Sequence, residues 1–356
     1  HAGQFLSPEQ VPGVEGALVL KEPLGPILAI EPWNFPFYQI FRVAAPQLAA
    51  GNVVIVKPSE LVPKCALEIA ALFEKHCDLK GVYTNIFGSH EQIGEMIADA
   101  RIKGVTFTGS TQAGAAIAEQ AGRNLKKVVL ELGGNDPAYV AEDADLESAV
   151  ENIVDGACYN AGQSCCAVER VYVHQKHHDE FIDRVRALLD AYQLGDPLAE
   201  GTTMGPLAKS SALSWLESQV QDATDRSAKL LLGGKRGEGN FFPPTLLDGV
   251  PNEASVMQEE SFGPLLPVLS VSSDEEALSR MNDSRFGLTA SVWTKDRDRA
   301  NSFSKELNAG TIFQNRCDVL DPALPWTGWG ESGKGSTLSK YGFLHLTQRK
   351  GIHFRD

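Results

Sequence analysis

Between residues 27 and 131 the chain alternates short apolar runs with longer amphipathic segments, and this alternation restricts the fold more than any other feature. The run Val53-Val54-Ile55-Val56 is rich in β-branched residues, as is typical of a strand buried on both faces of a parallel sheet. The other predicted strands lie at 27–30, 82–87, 105–108 and 128–131, and the predicted helices at 38–50, 63–76, 91–98 and 112–121. An α/β domain with a doubly wound parallel sheet is therefore expected, with ligands at the carboxyl ends of its strands.

A second α/β domain is predicted from about residue 136 onward. Helices are expected at 146–159 and 179–189, and strands at 168–173, 290–293 and 311–314. The section after residue 189 is expected to be rich in loops, because Gly233-Gly234 and Pro243-Pro244 interrupt it. The glycine-rich segment 325–335 is predicted to return toward the first domain.

Length and charge limit the class of protein. The 356 residues suffice for two domains, and 43% hydrophobic with 22% charged residues is ordinary for a globular protein. The net charge of −14 argues against a nucleic-acid partner and against an anionic membrane surface, since both require a basic face. No apolar run approaches the length of a membrane span.

The cysteines and histidines predict neither a disulfide framework nor a metal site. The six cysteines are irregularly spaced and form no CxxC pair, so a reducing cytoplasm is the expected location. His174, His177 and His178 are close in sequence, but no cysteine is spaced to join them, and a solvated loop is predicted there.

Three short stretches carry side chains suited to covalent chemistry. Residues 162–170 read GQSCCAVER and supply a thiol, and residues 130–134 read LELGG and place a carboxylate at the end of an apolar run. The third stretch, residues 32–36, reads PWNFP. A thiol with a nearby carboxylate base is the minimum set of groups for covalent catalysis on a carbonyl group.

Taken together, the three stretches resemble the NAD(P)-dependent aldehyde dehydrogenase superfamily, from about Gly25 to the C-terminus. The resemblance implies that Cys165, two residues after the glutamine of GQ, is the nucleophile rather than Cys166. It implies that Glu131 activates water to hydrolyse a thioester, although removal of the Cys165 proton is an alternative role. Asn34 is implied as a donor to the developing oxyanion.

The resemblance also implies a set of residues that bind the cofactor. Lys57 and Glu60 would bond the adenosine ribose, and the Glu60 carboxylate would repel a 2′-phosphate, so NAD is favoured over NADP. The helix start at Gly109-Ser110 would hold the pyrophosphate. The remaining residues in this expected set are Trp33, Leu132, Gly133, Glu260 and Phe262.

From the same resemblance, the expected organisation is an NAD-binding domain at 25–132 and a catalytic domain at 133–330. The segments 1–24 and 345–356 are expected to contain bridging strands, so a homodimer or homotetramer is predicted.

Two departures from the family pattern are visible. Many members carry an Arg-Glu-Leu run near the C-terminus, where this chain has Ser336-Thr337-Leu338, and Thr337 has no acid or base to relay protons. Typical members also have a further segment ahead of residues 32–36, so this chain is expected to lack their N-terminal portion.

The sequence therefore predicts an enzyme that oxidises a small-molecule aldehyde to a carboxylic acid with NAD. Two alternatives stay open at this point. One is a CoA-acylating member of the superfamily, against which Glu131 argues, and the other is a non-catalytic relative with a binding or structural role.

Overall fold

The computed structural model describes residues 2–355 of the chain. Its helices are α1 Ala2–Leu6, α2 Pro36–Ala49, α3 Pro63–His76, α4 His90–Ala98, α5 Thr111–Arg123, α6 Leu146–Cys158, α7 His178–Asp190, α8 Ser211–Asp225, α9 Ser255–Gln258, α10 Asp274–Asn282, α11 Arg297–Glu306 and α12 Tyr341–Leu344. Its strands are β1 Glu9–Gln10, β2 Ala17–Pro23, β3 Pro26–Glu31, β4 Val53–Pro58, β5 Tyr83–Asn85, β6 Gly104–Thr108, β7 Lys127–Glu131, β8 Asp136–Val140, β9 Val168–His174, β10 Lys229–Leu232, β11 Thr245–Asp248, β12 Leu265–Val271, β13 Phe286–Gly287, β14 Thr289–Trp293, β15 Thr311–Gln314, β16 Trp329–Gly330, β17 Gly333–Lys334 and β18 Thr347–His353.

The chain divides into two compact units. Unit 1 contains the described residues up to Leu132 together with Leu320–Thr327 and the residues from Gly333 onward. Unit 2 contains Gly133–Val319 and Gly328–Ser332. The functional labels expected for the two domains stay predictions.

Unit 1 is built on a six-stranded sheet with the order β17-β7-β6-β3-β4-β5. The strands β3 to β7 are all parallel, and β17 adds an antiparallel edge. The chain starts at the centre with β3, runs outward to β5, and then returns to β6 on the other side. This doubly wound order confirms the predicted fold class.

Both faces of this sheet are covered, because successive side chains of each strand point to opposite sides. Ala29 packs with Ile40 and Val43 of α2, whereas its neighbour Leu28 packs with Ile93 and Ile97 of α4. A strand with two covered faces needs apolar residues at every position, which explains the unbroken run at β4.

Helix boundaries in unit 1 follow local chemistry. Proline at the first position begins α2 and α3, and α2 is followed by Gly51 at a φ of +88°. Ser89 and Gln92 form a reciprocal capping box that begins α4. A separate antiparallel sheet of unit 1 joins β1, β2 and β18.

Unit 2 contains a seven-stranded sheet with the order β10-β11-β12-β9-β8-β14-β15. All its neighbouring strands are parallel except β10 and β11. The large apolar core of this unit lies around that sheet and includes the fully buried side chains of Tyr139, Phe181 and Trp293.

Two expectations from the sequence were incomplete. The section after residue 189 is rich in loops as expected, but it also contains α8, which the sequence reading missed; α8 buries Leu213, Leu216 and Val220 at helical spacing, and the glycine and proline breakers come only after it. The histidine cluster is not simply a solvated loop, since His178 lies in α7 and its Nε2 is 2.8 Å from Oδ1 of the mostly buried Asp248.

Candidate active site

The residues predicted to act from unit 1 gather at one edge of its sheet. Asn34 follows β3, Lys57 lies next to the end of β4, Ser110 follows β6, and Glu131 ends β7. These four strands are parallel neighbours, so their carboxyl ends share an edge. Trp33 and Asn34 are partly buried, and Glu60, on the loop after β4, is exposed.

The turn between β6 and α5 presents a helix N-terminus at that edge. Ser110 is the N-cap, with its Oγ accepting from the Ala113 backbone N–H at 3.4 Å. The Gly109 backbone N–H donates to the Glu131 carbonyl at 3.0 Å, and a Cβ at Gly109 would lie 2.6 Å from the Phe107 ring. The partial positive charge of a helix N-terminus suits a phosphate group.

Glu131 is buried and has one hydrogen-bond donor at its carboxyl group. Thr337 Oγ1 donates to Glu131 Oε1 at 3.0 Å, whereas Oε2 has no hydrogen-bond partner within residues 2–355. Burial raises the pKa of Glu131 to about 7, against the opposing effects of the Arg42 charge and the Thr337 hydroxyl. This carboxyl group therefore changes its protonation state near neutral pH.

Thr337, the position that departs from the family pattern, thus touches the predicted base directly. Its main chain is held by hydrogen bonds in both directions with Trp326. Sequence reasoning missed the contact, because 206 positions separate Thr337 from Glu131.

In unit 2, a strained turn leads into the predicted nucleophile. Asn160 and Ala161 have φ values of 51° and 57°, and Gly162 follows at 73°. A Cβ at Gly162 would lie 2.3 Å from the Gly263 main chain, so only glycine fits there. The turn packs the loop that carries Cys165 against the segment that carries Glu260 and Phe262.

The two adjacent cysteines differ in their surroundings. Cys166 is buried, and its Sγ donates to Asp318 Oδ1 at 2.9 Å, whereas Cys165 is partly exposed. The neighbouring Cys165 thiol and burial raise the pKa of Cys166 well above the usual value, and the Asp318 charge adds to this. Cys166 therefore stays a thiol, which supports Cys165 as the nucleophile.

The segment with Glu260 and Phe262 is fixed by a buried carboxylate that sequence reasoning missed. Glu169 accepts from the backbone N–H groups of Ser261 at 2.9 Å and Phe262 at 2.8 Å, and from Asn135 Nδ2 at 3.0 Å. Burial raises the pKa of Glu169 to about 7, although the hydrogen bonds favour its charged form. The available signal was the pair of adjacent charged residues, Glu169 and Arg170, inside the otherwise mostly apolar strand β9.

Gly133 and Glu260, both predicted to bind the cofactor, lie in contact. The Gly134 backbone N–H donates to Glu260 Oε1 at 3.1 Å, and a Cβ at Gly133 would be 2.4 Å from Oε2. Burial, followed by the nearby Glu169 charge, raises the pKa of Glu260 well above its usual range. Leu132, in unit 1, packs its side chain into an apolar cluster with Phe107.

Within residues 2–355 no group of three or more histidine, cysteine or acidic side chains is arranged to hold a metal ion, and all six cysteines are free thiols. In the same part of the chain, every helix is too short or too polar to cross a bilayer.

Comparison with known proteins gives consistent results. The model of the aldehyde dehydrogenase family matches residues 2–352. A succinate-semialdehyde dehydrogenase [NADP(+)] of Deinococcus radiodurans is 42% identical over 97% of this chain and 73% of its own length. Lactaldehyde dehydrogenase of Escherichia coli is 38% identical over the whole of this chain and 75% of its own length. The crystal structure of succinic semialdehyde dehydrogenase from Streptococcus pyogenes in complex with NADP+ superimposes with a TM-score of 0.95 at 35% identity, covering 100% of this chain and 79% of that one.

Proposed function

The chain belongs to the aldehyde dehydrogenase family, and on that basis we propose that it oxidises an aldehyde to a carboxylic acid through a thioester on Cys165. Water and NAD are the proposed co-substrates. The observation that carries the mechanism is the buried Glu131 carboxyl, whose pKa of about 7 suits a base that must take a proton from water at neutral pH.

In the first half of the proposed reaction, the Cys165 thiolate adds to the aldehyde carbon. The resulting thiohemiacetal carries a negative oxygen, to which the Asn34 side-chain amide and the Cys165 backbone N–H donate hydrogen bonds. Bound NAD supplies the acceptor for the hydride that leaves this carbon, and a thioester remains on the sulfur.

In the second half, Glu131 releases the acid. Its carboxylate takes a proton from water, the hydroxide oxygen attacks the thioester carbon, and the Cys165 sulfur leaves as a thiolate. The Thr337 hydroxyl donates to Glu131 Oε1 and leaves Oε2 for the water.

The residues present fit a nicotinamide dinucleotide. The α5 N-terminus at Ser110 suits the pyrophosphate, and Lys57 suits the adenosine ribose. The exposed Glu60 carboxylate favours NAD, because it would repel a 2′-phosphate. Some relatives are named as NADP+ enzymes. The preference is tested by comparing kcat/KM for NAD with kcat/KM for NADP.

The names of the relatives suggest a substrate class. They are dehydrogenases of succinate semialdehyde, glutarate semialdehyde and lactaldehyde, which are short aldehydes with a carboxylate or hydroxyl group. We infer that this chain acts on a short polar aldehyde, and NADH formation across aliphatic, aromatic and semialdehyde substrates tests that inference.

A homo-oligomer is also proposed. The sheet of β1, β2 and β18 has β1 and β18 as its outer strands, and such edges carry main-chain groups suited to pairing with another chain. Light scattering during gel filtration should give the mass of a dimer or tetramer, and a monomer mass at all concentrations would refute the proposal.

The mechanism is tested with Glu131→Gln, which keeps the shape of the side chain and removes its basicity. We expect a rapid burst of NADH, equal in amount to the enzyme, followed by acid release slowed by about 10²- to 10⁴-fold. Glu68→Gln, an exposed change in α3, is the matched control and should not alter turnover. Undiminished steady-state turnover in Glu131→Gln would exclude Glu131 as the base, and acyl-CoA formation on addition of CoA would indicate the acylating reaction instead.

A further inference from the structure

We propose that Asp318 is a positioning residue for Cys165: its carboxylate holds the residues on both sides of the nucleophile, Ser164 and Cys166, and thereby fixes the placement of the Cys165 thiol and backbone N–H. This inference rests on the proposed role of Cys165 in thioester formation. All the residues involved lie in unit 2.

The nucleophile lies in a tight turn. The Ala167 backbone N–H donates to the Ser164 carbonyl at 3.2 Å, which closes a β-turn with Cys165 and Cys166 as its two central residues. Ser164 and Cys166 are 2% and 1% exposed, respectively, whereas Cys165 is partly exposed. The side chains on either side of the nucleophile are therefore enclosed in the unit, while that of Cys165 is partly open to solvent.

One oxygen atom of Asp318 binds both enclosed side chains. Its Oδ1 accepts from Ser164 Oγ at 2.9 Å and from Cys166 Sγ at 2.9 Å. Ser164 Oγ and Cys166 Sγ lie 3.5 Å apart, so the three groups form a closed triangle. Asp318 thereby holds the turn at one point before Cys165 and at one point after it, in addition to the main-chain bond that closes the turn.

Asp318 is itself held in an uncommon main-chain conformation. It follows β15, and its φ of 44° lies in the left-handed region, which aspartate and asparagine adopt more readily than other non-glycine residues. The preceding Cys317 is attached to α6, because its Sγ donates to the Asn152 carbonyl at 3.2 Å and a Cβ at Gly156 would lie only 2.7 Å from that sulfur. A conformation of this kind persists only where the surrounding structure imposes it.

The electrostatics fit the role of acceptor. Burial raises the pKa of Asp318, and the hydrogen bonds from Cys166 and Ser164 oppose that rise because they favour the ionised carboxylate. The Cys165 thiol and burial, followed by the Asp318 charge, raise the pKa of Cys166. Cys166 therefore stays a thiol and keeps the proton that it donates to Asp318.

Accurate placement matters here because the proposed chemistry has two requirements at one residue. The Cys165 sulfur must reach the aldehyde carbon, and the Cys165 backbone N–H must face the oxygen that becomes negative. A displacement of about 1 Å in a reacting group lowers a rate by about 100-fold. Attachment on both sides of Cys165 limits such a displacement.

The first test measures the rate constant of NADH formation in the first turnover, with NAD and aldehyde saturating. Asp318→Gly tolerates the positive φ but removes both hydrogen bonds, and we expect the rate constant to fall by about 10- to 100-fold. Asp318→Asn keeps an oxygen acceptor and also tolerates that φ, so it should stay within about threefold of wild type. Asp190→Asn, an exposed change at the end of α7, is the control for loss of a carboxylate.

The two donors provide a test that leaves Asp318 in place and remains valid if Asp318→Gly fails to fold. Either donor, together with the main-chain bond, still holds the turn, so Ser164→Ala and Cys166→Ala should each stay within about twofold of wild type. The double variant should lose at least about tenfold, because the two residues act through one acceptor. Losses that simply multiply would show that the two residues act independently and would overturn the inference.

Alkylation by iodoacetamide, without aldehyde or NAD, separates this inference from the proposed function. In wild type, tandem mass spectrometry should find the label on Cys165 and little on Cys166, and Asp318→Gly should raise the share on Cys166 by at least about fivefold. Asp318→Asn should keep Cys166 protected. Equal protection of Cys166 in wild type and Asp318→Gly, or an undiminished first turnover in Asp318→Gly, would overturn the inference. Full turnover in Cys165→Ala would refute the proposed function instead, and the labelling would still decide whether Asp318 holds the turn.

Discussion

Both units bury ionisable side chains beside their main sheets, but they surround them with different numbers of hydrogen bonds. In unit 2, Glu169 accepts three hydrogen bonds, and its neighbour Arg170 donates to the carbonyls of Asn135 at 2.8 Å and Met281 at 3.0 Å, among others. In unit 1, Glu131 accepts one bond, and within the described residues Glu31 accepts none.

The difference separates two uses of buried charge. A carboxylate with all its acceptors used, such as Glu169, fixes the main chain around Glu260 and Phe262. A carboxyl group such as Glu131 keeps one oxygen for a substrate or water, although burial raises the pKa of both groups to about 7. The oxygen left without a donor is therefore what separates Glu131 from Glu169.

The largest effect on activity is expected at Cys165 and Cys166, two adjacent residues that also differ in hydrogen bonding and burial. Cys166 is bonded to Asp318 and buried, whereas Cys165 is partly exposed. Cys165→Ala should lower NADH formation by at least about a thousandfold, since it removes the nucleophile. Cys166→Ala should keep most of the activity, and equal losses in both variants would refute the distinction.

Next in size is the effect on stability of removing each type of carboxyl group. Glu169→Ala leaves buried donors without a partner and should lower the free energy of unfolding by about 3–5 kcal/mol. Glu31→Gln removes no hydrogen bond and should change it by less than about 1 kcal/mol. Urea unfolding midpoints measure both changes, and a larger loss in Glu31→Gln would invalidate the comparison.

A smaller effect is expected at the one hydrogen bond that Glu131 accepts. Thr337→Val removes the donor that favours the ionised form, so the pKa of Glu131 should rise. The rising limb of hydrolysis against pH should move to higher pH by about one unit. Thr337→Ser keeps the hydroxyl and should restore the wild-type limb, whereas a shift shared by both variants would point to packing instead.

The smallest effect concerns the exposed Glu60. Glu60→Gln removes one solvent-exposed charge, so the ratio of kcat/KM for NADP to that for NAD should rise by only about two- to fivefold. Steady-state kinetics with both cofactors measure the ratio, with the exposed Glu68→Gln as control. An unchanged ratio would show that Glu60 does not select the cofactor.

The sequence predicted the parallel sheets well, because alternation of β-branched runs and amphipathic helices is a local pattern. The bounds of α3, predicted from proline and periodicity at 63–76, agree with the structure. The sequence did not predict which buried groups form hydrogen bonds, because their partners are remote in the chain. Thr337 is 206 positions from Glu131, and Asp318 is 152 positions from Cys166. The effect of Arg42 was missed for the same reason, since the sequence does not reveal that its charge lies close enough to oppose the rise in the pKa of Glu131.

The most direct test of the mechanism is mass spectrometry of Glu131→Gln quenched after mixing with NAD and an aldehyde that the enzyme oxidises. The account predicts one acyl group per chain on the peptide that contains Cys165, with Cys166 unmodified. An acyl group on another residue, or NADH formation without any acylated chain, would contradict it.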